Sequence, residues 1–221
     1  MIPKVIHFVY IGDIDFSKDK KLQDAHQSWK TFNPDYEIRE WYEQDCINYL
    51  QENYGDSFVK TFNNLIPYCY KCDFFRVCLI YKEGGWYSDW KQMCYSKIEQ
   101  RLQDKDLVCF KQNGTYIPMP LFACKPKHFI LKHCINTIID NVNKRYYGDN
   151  THCPTSNVLY INMKKYECKN TYFGVFRGND FFIENKLFAQ HKYDYINARR
   201  QRENWNNDYT IMWKERNVYS T

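Results

Sequence analysis

Short apolar runs alternate with stretches of helical period along this chain. "KVIHFVYIG" (residues 4–12) is β-branched and aromatic throughout and closes on Gly12, the pattern of a strand buried on both faces. Behind Ser17, a candidate N-cap, Leu22, Ala25 and Trp29 fall at helical spacing. "NPDY" then signals a turn, and "YEIREWY" alternates as a second strand would. The opening is therefore read as β-α-β, with two short helices expected around 43–52 and 56–64. The clearest helix is "PYCYKCDFFRVCLIYKEGG", with Pro67 near its start and Gly84 past its end. Cys69, Cys72, Val77, Leu79 and Ile80 give it a broad apolar surface, which predicts a largely buried helix. "WYSDW" and "DLVCF" read as further strands, "KPKHFILKHCINTIIDNV" as a helix, and 172–176 and 181–184 as short strands ahead of a polar tail. No internal repeat or low-complexity linker interrupts the pattern. Alternating strands and helices predict one α/β domain over 1–221, with a mostly parallel central sheet flanked by helices.

Composition narrows the function without naming it. The chain has 221 residues, of which 44% are hydrophobic, enough for a sizeable core. The formal charge is +5 with both signs interspersed, and no basic stripe marks a nucleic-acid binder. Aromatics reach 19%, a surplus that suits stacking on sugars, bases or partner proteins and that an AT-rich genome also produces. No apolar run is long enough to span a membrane, and the N-terminal segment lacks the pattern of a signal peptide. The ten cysteines are then expected as free thiols in a reducing, cytoplasmic setting. Cys69 and Cys72 have the spacing of a zinc or redox pair, but no second pair follows and both fall on the predicted helix.

Ligands of open α/β sheets bind beyond the carboxyl ends of strands. Three polar features fall at such ends: Tyr10 to Gly12, Ser88 to Lys91, and Lys111 to Tyr116. Asp73 and Arg76, three apart, share a face of the predicted buried helix. A charged pair there is either a structural ion pair or part of a polar site that binds hydroxyls. Gly84 and Gly85 turn the chain into the next strand, on which Tyr87, Asp89 and Lys91 share one side if the strand is regular. An acid at that position holds a divalent cation or a sugar hydroxyl, or else sits in a surface turn.

Taken together, "IPKVIHFVYIG", "SWKTFNPDYEIREWYE" and "CDFFRVCLIYKEGGWYSDWK" resemble, in order and spacing, the DXD-type sugar-transferase family. That family includes yeast-type α-1,6-mannosyltransferases, capsular polysaccharide glycosyltransferases and the glucosylating domains of large clostridial toxins. The resemblance covers residues 2 to about 91. It implies a GT-A fold, a UDP- or GDP-sugar donor and a glycan or protein acceptor. It also implies a nucleotide-sugar-binding half over about 1–110 and an acceptor-side half with the tail over about 111–221. By the same resemblance Val9, Tyr10, Asp73, Arg76, Gly84, Gly85, Tyr87 and Asp89 bind the donor, and Asn206, Asn207, Asp208 and Lys214 are tail candidates for closing on the diphosphate.

Lys91 departs from the pattern. The family places a second acid there, the main protein ligand to Mn²⁺ or Mg²⁺, and leaves only Asp89 as a metal ligand here. An ammonium cannot ligate a cation. Either Asp89 and Lys91 serve catalysis with Lys91 supplying the positive charge, in a retaining and metal-independent hexosyltransferase, or the chain is a catalytically silent domain that binds a nucleotide sugar or a partner.

Overall fold

The computed structural model describes residues 1–12, 20–191 and 207–220; Ser17, Asn206 and most of the polar tail lie outside the described residues. The opening unit forms as its pattern predicts. β1 (Val5–Tyr10) is buried at all six positions, and α1 (Lys20–Phe32) buries Leu22, Ala25 and Trp29. β2 (Glu37–Tyr42) returns parallel to β1, in register from Val5 opposite Glu37 to Tyr10 opposite Tyr42. Two short helices follow, α2 (Glu43–Tyr54) and α3 (Asp56–Asn64). α4 (Tyr68–Glu83) is buried without a break from Cys72 to Ile80, Asp73 and Arg76 included. Gly84 ends it, and β3 (Gly85–Ser88) begins at once, parallel to β1.

The remaining elements are β4 (Met93–Cys94), α5 (Gln100–Gln103), β5 (Leu107–Gln112), β6 (Leu121–Cys124), α6 (Phe129–Asn143), α7 (Val158–Lys165), β7 (Thr171–Arg177), β8 (Asp180–Ile183), β9 (Lys186–Gln190) and α8 (Tyr209–Lys214). Among the described residues nine strands form one sheet in the order β2-β1-β3-β6-β5-β7-β8-β9-β4. The expectation of a mostly parallel sheet is corrected. Only β1–β2, β1–β3 and β5–β7 pair parallel, and the other five pairs are antiparallel. Two features cause this. β6, four buried residues too short to show a period, slips between β3 and β5 in reverse direction. β7, β8 and β9 are joined by tight turns, one through Glu184 and Asn185 with φ of 47° and 64°, and a two-residue turn can join only antiparallel strands.

The sheet also curls. Six strand spacings separate β3 from β4 in the strand order, about 29 Å if the sheet were flat. Yet only four residues, five Cα-to-Cα steps, carry the chain from Ser88 to Met93, a reach of at most about 18 Å. The far edge therefore bends back toward β3, and Phe188 of β9 lies 5.6 Å, ring to ring, from Trp86 of β3. One core, holding Trp29, Trp86, Phe110, Phe181 and Phe188, fills the inside of this curl. A second core lies on the other face, where α4, α6 and α7 cover Val9, Tyr87, Cys109 and Phe122.

Strand directions place the site. β1 and β3 run the same way, and β5 shares their direction because both it and β3 are antiparallel to β6. Tyr10, Ser88 and Gln112 thus end three strands at one rim, where β6 begins, and Asp89 follows there.

Candidate active site

β3 ends two residues earlier than the sequence pattern suggests. Asp89 to Gln92 form a turn, closed by the Gln92 amide donating to the Asp89 carbonyl at 3.0 Å. Lys91 therefore reaches Asp89 by folding back in the turn and not by strand alternation, and its Nζ stands 3.5 Å from Asp89 Oδ2. The Asp89 backbone is pinned from the neighbouring strand, its N–H donating to Pro120 O at 2.8 Å. Its other carboxylate oxygen, Oδ1, accepts from the Tyr87 hydroxyl at 2.9 Å and lies 3.4 Å from Arg76 Nη1.

Arg76 links the turn to α4. Its Nη2 is 3.2 Å from Asp73 Oδ1, its Nη1 donates to Met119 O at 2.7 Å, and its guanidinium lies 4.3 Å over the Tyr87 ring. Asp73 Oδ2 accepts from Thr155 Oγ1 at 2.7 Å and Ser156 Oγ at 2.5 Å. The buried helix pair thus belongs to a larger polar cluster with Tyr87, Asp89 and Lys91. Burial works against the Asp89 carboxylate, but the charges of Arg76, Lys91 and His191 and the Tyr87 hydrogen bond outweigh it. Its pKa lies below the ordinary aspartate value.

Other sequence-predicted positions sit differently. Val9 is fully buried and Tyr10 nearly so. The Tyr10 ring stacks on Tyr42 at 5.2 Å, and Tyr42 presents the exposed aromatic face at this strand end. Asn207 Oδ1 accepts from the Tyr68 amide at 2.8 Å, so the tail holds the first turn of α4. Asp208 caps α8, accepting from the Thr210 amide at 2.8 Å. Lys214 is exposed at the end of α8. Cys69 and Cys72 both carry free thiols, on the site-bearing helix. Thr155, Ser156 and Tyr42 were not legible as site residues. A Pro-Thr-Ser-Asn run before α7 signals a helix start, and nothing local says that it reaches back to Asp73.

Comparison with known proteins sets this mixed α/β sheet beside those of glycosyltransferases. Residues 19–108 match the family described as a glycosyltransferase sugar-binding region containing a DXD motif. An uncharacterized glycosyltransferase, L373, of Acanthamoeba polyphaga mimivirus is 23% identical over 163 residues, covering 74% of this chain and 56% of its own length. The chain thus spans just over half of that relative. The solved PaToxG glycosyltransferase matches with a TM-score of 0.60 at 15% identity, over 74% of this chain and 69% of the other. The fold is GT-A-like, and residues 19–108 are similar to the sugar-binding region of DXD glycosyltransferases.

Families of this kind imply a divalent cation at the DXD acid. The described residues around Asp89 do not fit one. Its two oxygens face a guanidinium, a phenol hydroxyl and an ammonium, donors that repel a metal ion or cannot ligate it. Among the described residues no three His, Cys, Asp or Glu side chains are grouped to hold a metal. No helix among them is long and apolar enough to cross a membrane.

Proposed function

We propose that this chain transfers a sugar from a nucleoside diphosphate sugar to a glycan or protein hydroxyl, with Lys91 in place of the metal ion. The observation that carries the reading is the Lys91–Asp89 ion pair at the end of β3, tied through Arg76 to Asp73. As the glycosyl group leaves, negative charge builds on the diphosphate, and cations already in place stabilise it without reorganising. Asp89 holds the Lys91 ammonium at the rim for this task. Asp73 and Arg76 hold sugar and ribose hydroxyls in this reading, and Tyr87 fixes the Asp89 carboxylate. UDP- and GDP-sugars are the donor candidates, and retention of anomeric configuration rests on the sequence resemblance alone. The test is transfer or hydrolysis of each donor in EDTA. Activity should survive chelation, and Lys91→Ala should lose roughly 10²–10³-fold in rate, the scale for one preorganised electrostatic contact. Complete inactivation by EDTA, reversed by Mn²⁺, overturns the reading.

One observation favours a second reading. Both oxygens of Asp89 and both of Asp73 already have partners within the protein. A self-satisfied cluster suits a silent binding domain. Such a domain raises its melting midpoint with a nucleotide sugar yet shows no turnover of any donor.

A further inference from the structure

The opposite rim of the sheet carries a cleft of its own. β5 and β6 pair antiparallel, with Leu107 opposite Cys124, so the residues just before β5 and just after β6 lie together, about 20 Å along β5 from Gln112. Asp106 and Lys125 line a cleft of about 380 Å³ there, together with the entry to α6 and the loop ahead of β7. That volume suits a small organic ligand.

His128 gives the cleft a fixed hydrogen-bond donor. It is only 4% exposed and caps α6, its Nδ1 accepting from the Ile130 amide at 3.2 Å. A backbone amide can only donate, so Nδ1 is the bare nitrogen and the proton of the neutral ring sits on Nε2. Among the described residues Nε2 has no hydrogen-bond partner, and it is not sealed from solvent. His128 lines the cleft, so this N–H opens onto it. Burial and the charge of Lys125 hold the ring's pKa below the usual 6.5.

The charge of the cleft is positive. Asp106 is engaged within the wall, its Oδ2 accepting from Lys125 Nζ at 2.6 Å and its Oδ1 from Asn170 Nδ2 at 3.3 Å. Lys127 and Lys169 also line the cleft, both exposed and neither ion-paired among the described residues, against the single further acid Glu167. The N-terminus of the 15-residue α6 adds its partial positive charge. Phe129, 43% exposed, stacks on the His128 ring at 4.9 Å and supplies an apolar wall.

We infer that this cleft is a second ligand site, for a small phosphate ester. The His128 Nε2–H and the start of α6 bind phosphate oxygens, Lys127 and Lys169 balance the charge, and Phe129 covers the organic body. The inference does not rest on the donor reading, because no residue of the Asp89 rim takes part.

The probe is phenyl phosphate, followed by calorimetry at pH 7. It should bind the wild type, and more tightly than inorganic phosphate, which offers no ring to Phe129. His128→Asn keeps a good helix cap but has no Nε2. It should fold and bind phenyl phosphate roughly ten- to a hundred-fold more weakly, the scale of one hydrogen bond to a charged group. Lys127→Gln with Lys169→Gln should also weaken binding and flatten its salt dependence. Nitrogen NMR of ¹⁵N-histidine-labelled protein should show the His128 Nε2–H shifting as the probe is added. Lys91→Ala, at the other rim, should bind the probe as the wild type does. Absence of binding at millimolar phenyl phosphate, an unchanged affinity in both the His128 and the lysine variants, or a loss in Lys91→Ala overturns the inference. A phosphotyrosine peptide that binds more tightly than phenyl phosphate overturns the small-ester assignment in favour of a protein partner.

Discussion

Arg76 is the side chain on which both acids of the site converge. It is only 6% exposed and contacts Asp73, Asp89, the Met119 carbonyl and the Tyr87 ring. Removing one member of a buried pair leaves the other charge stranded, which costs more than the pair contributes. Arg76→Ala should therefore destabilise the fold by about 3 kcal/mol, seen as a lower denaturation midpoint in urea, and should abolish donor-induced stabilisation. If the midpoint and the donor response both stay as in the wild type, the guanidinium does not organise the cluster. The Asp73–Arg76 pair was recognisable from its spacing on an apolar helix. Its role as a bridge to Asp89 was not, because that depends on a turn geometry that strand alternation misreads.

At the level of elements, the junction between α4 and β3 aligns the site, because it sets where the helix pair and the acid turn meet. Gly85 has φ of 96°, and a Cβ there would fall 2.8 Å from the Val5 carbonyl oxygen and 2.5 Å from Val5 Cγ1. Gly114 has a comparable φ of 77° but open space around the same position. Comparing them separates backbone strain from collision. Gly114→Ala should cost about 1–2 kcal/mol, and Gly85→Ala clearly more, with a matching drop in thermal midpoint. Equal costs would mean that β1 yields to the new methyl. The double glycine, β1 and α4 were all legible, because each is a long or sharply punctuated local pattern. β6, β9, α7 and α8 were not. They are short, and the direction of β6 is decided by its neighbours on both sides and not by its own four residues.

For the molecule as a whole, stability in mild acid is governed by buried imidazoles. His7 is fully buried, with Nδ1 accepting from the Trp41 indole at 3.2 Å and Nε2 lying 3.2 Å from Gly84 O. Burial, reinforced by the charge of Arg39, lowers its pKa to about 3. The unfolded chain takes up a proton near pH 6.5, which the folded protein refuses until about 3. Stability is thus complete above pH 6.5 and falls as pH drops toward 3, by about 2 kcal/mol at pH 5 from this residue. His26 and His128, also lowered chiefly by burial, act in the same sense. Chemical denaturation at pH 7 and pH 5 should show that loss, and His7→Gln should reduce it. A flat profile between these values would place a charged imidazole in the fold.

The four-residue passage from Ser88 to Met93 has a further consequence. It is a short hydrogen-bonded turn that bridges the open side of a rolled sheet, with one end on the third strand and the other on the ninth. An insertion or deletion in a bridge of that kind shifts one edge of the sheet against the other. Exchanging a side chain at Asp89 or Lys91 changes the charge of the turn and leaves that fastening in place.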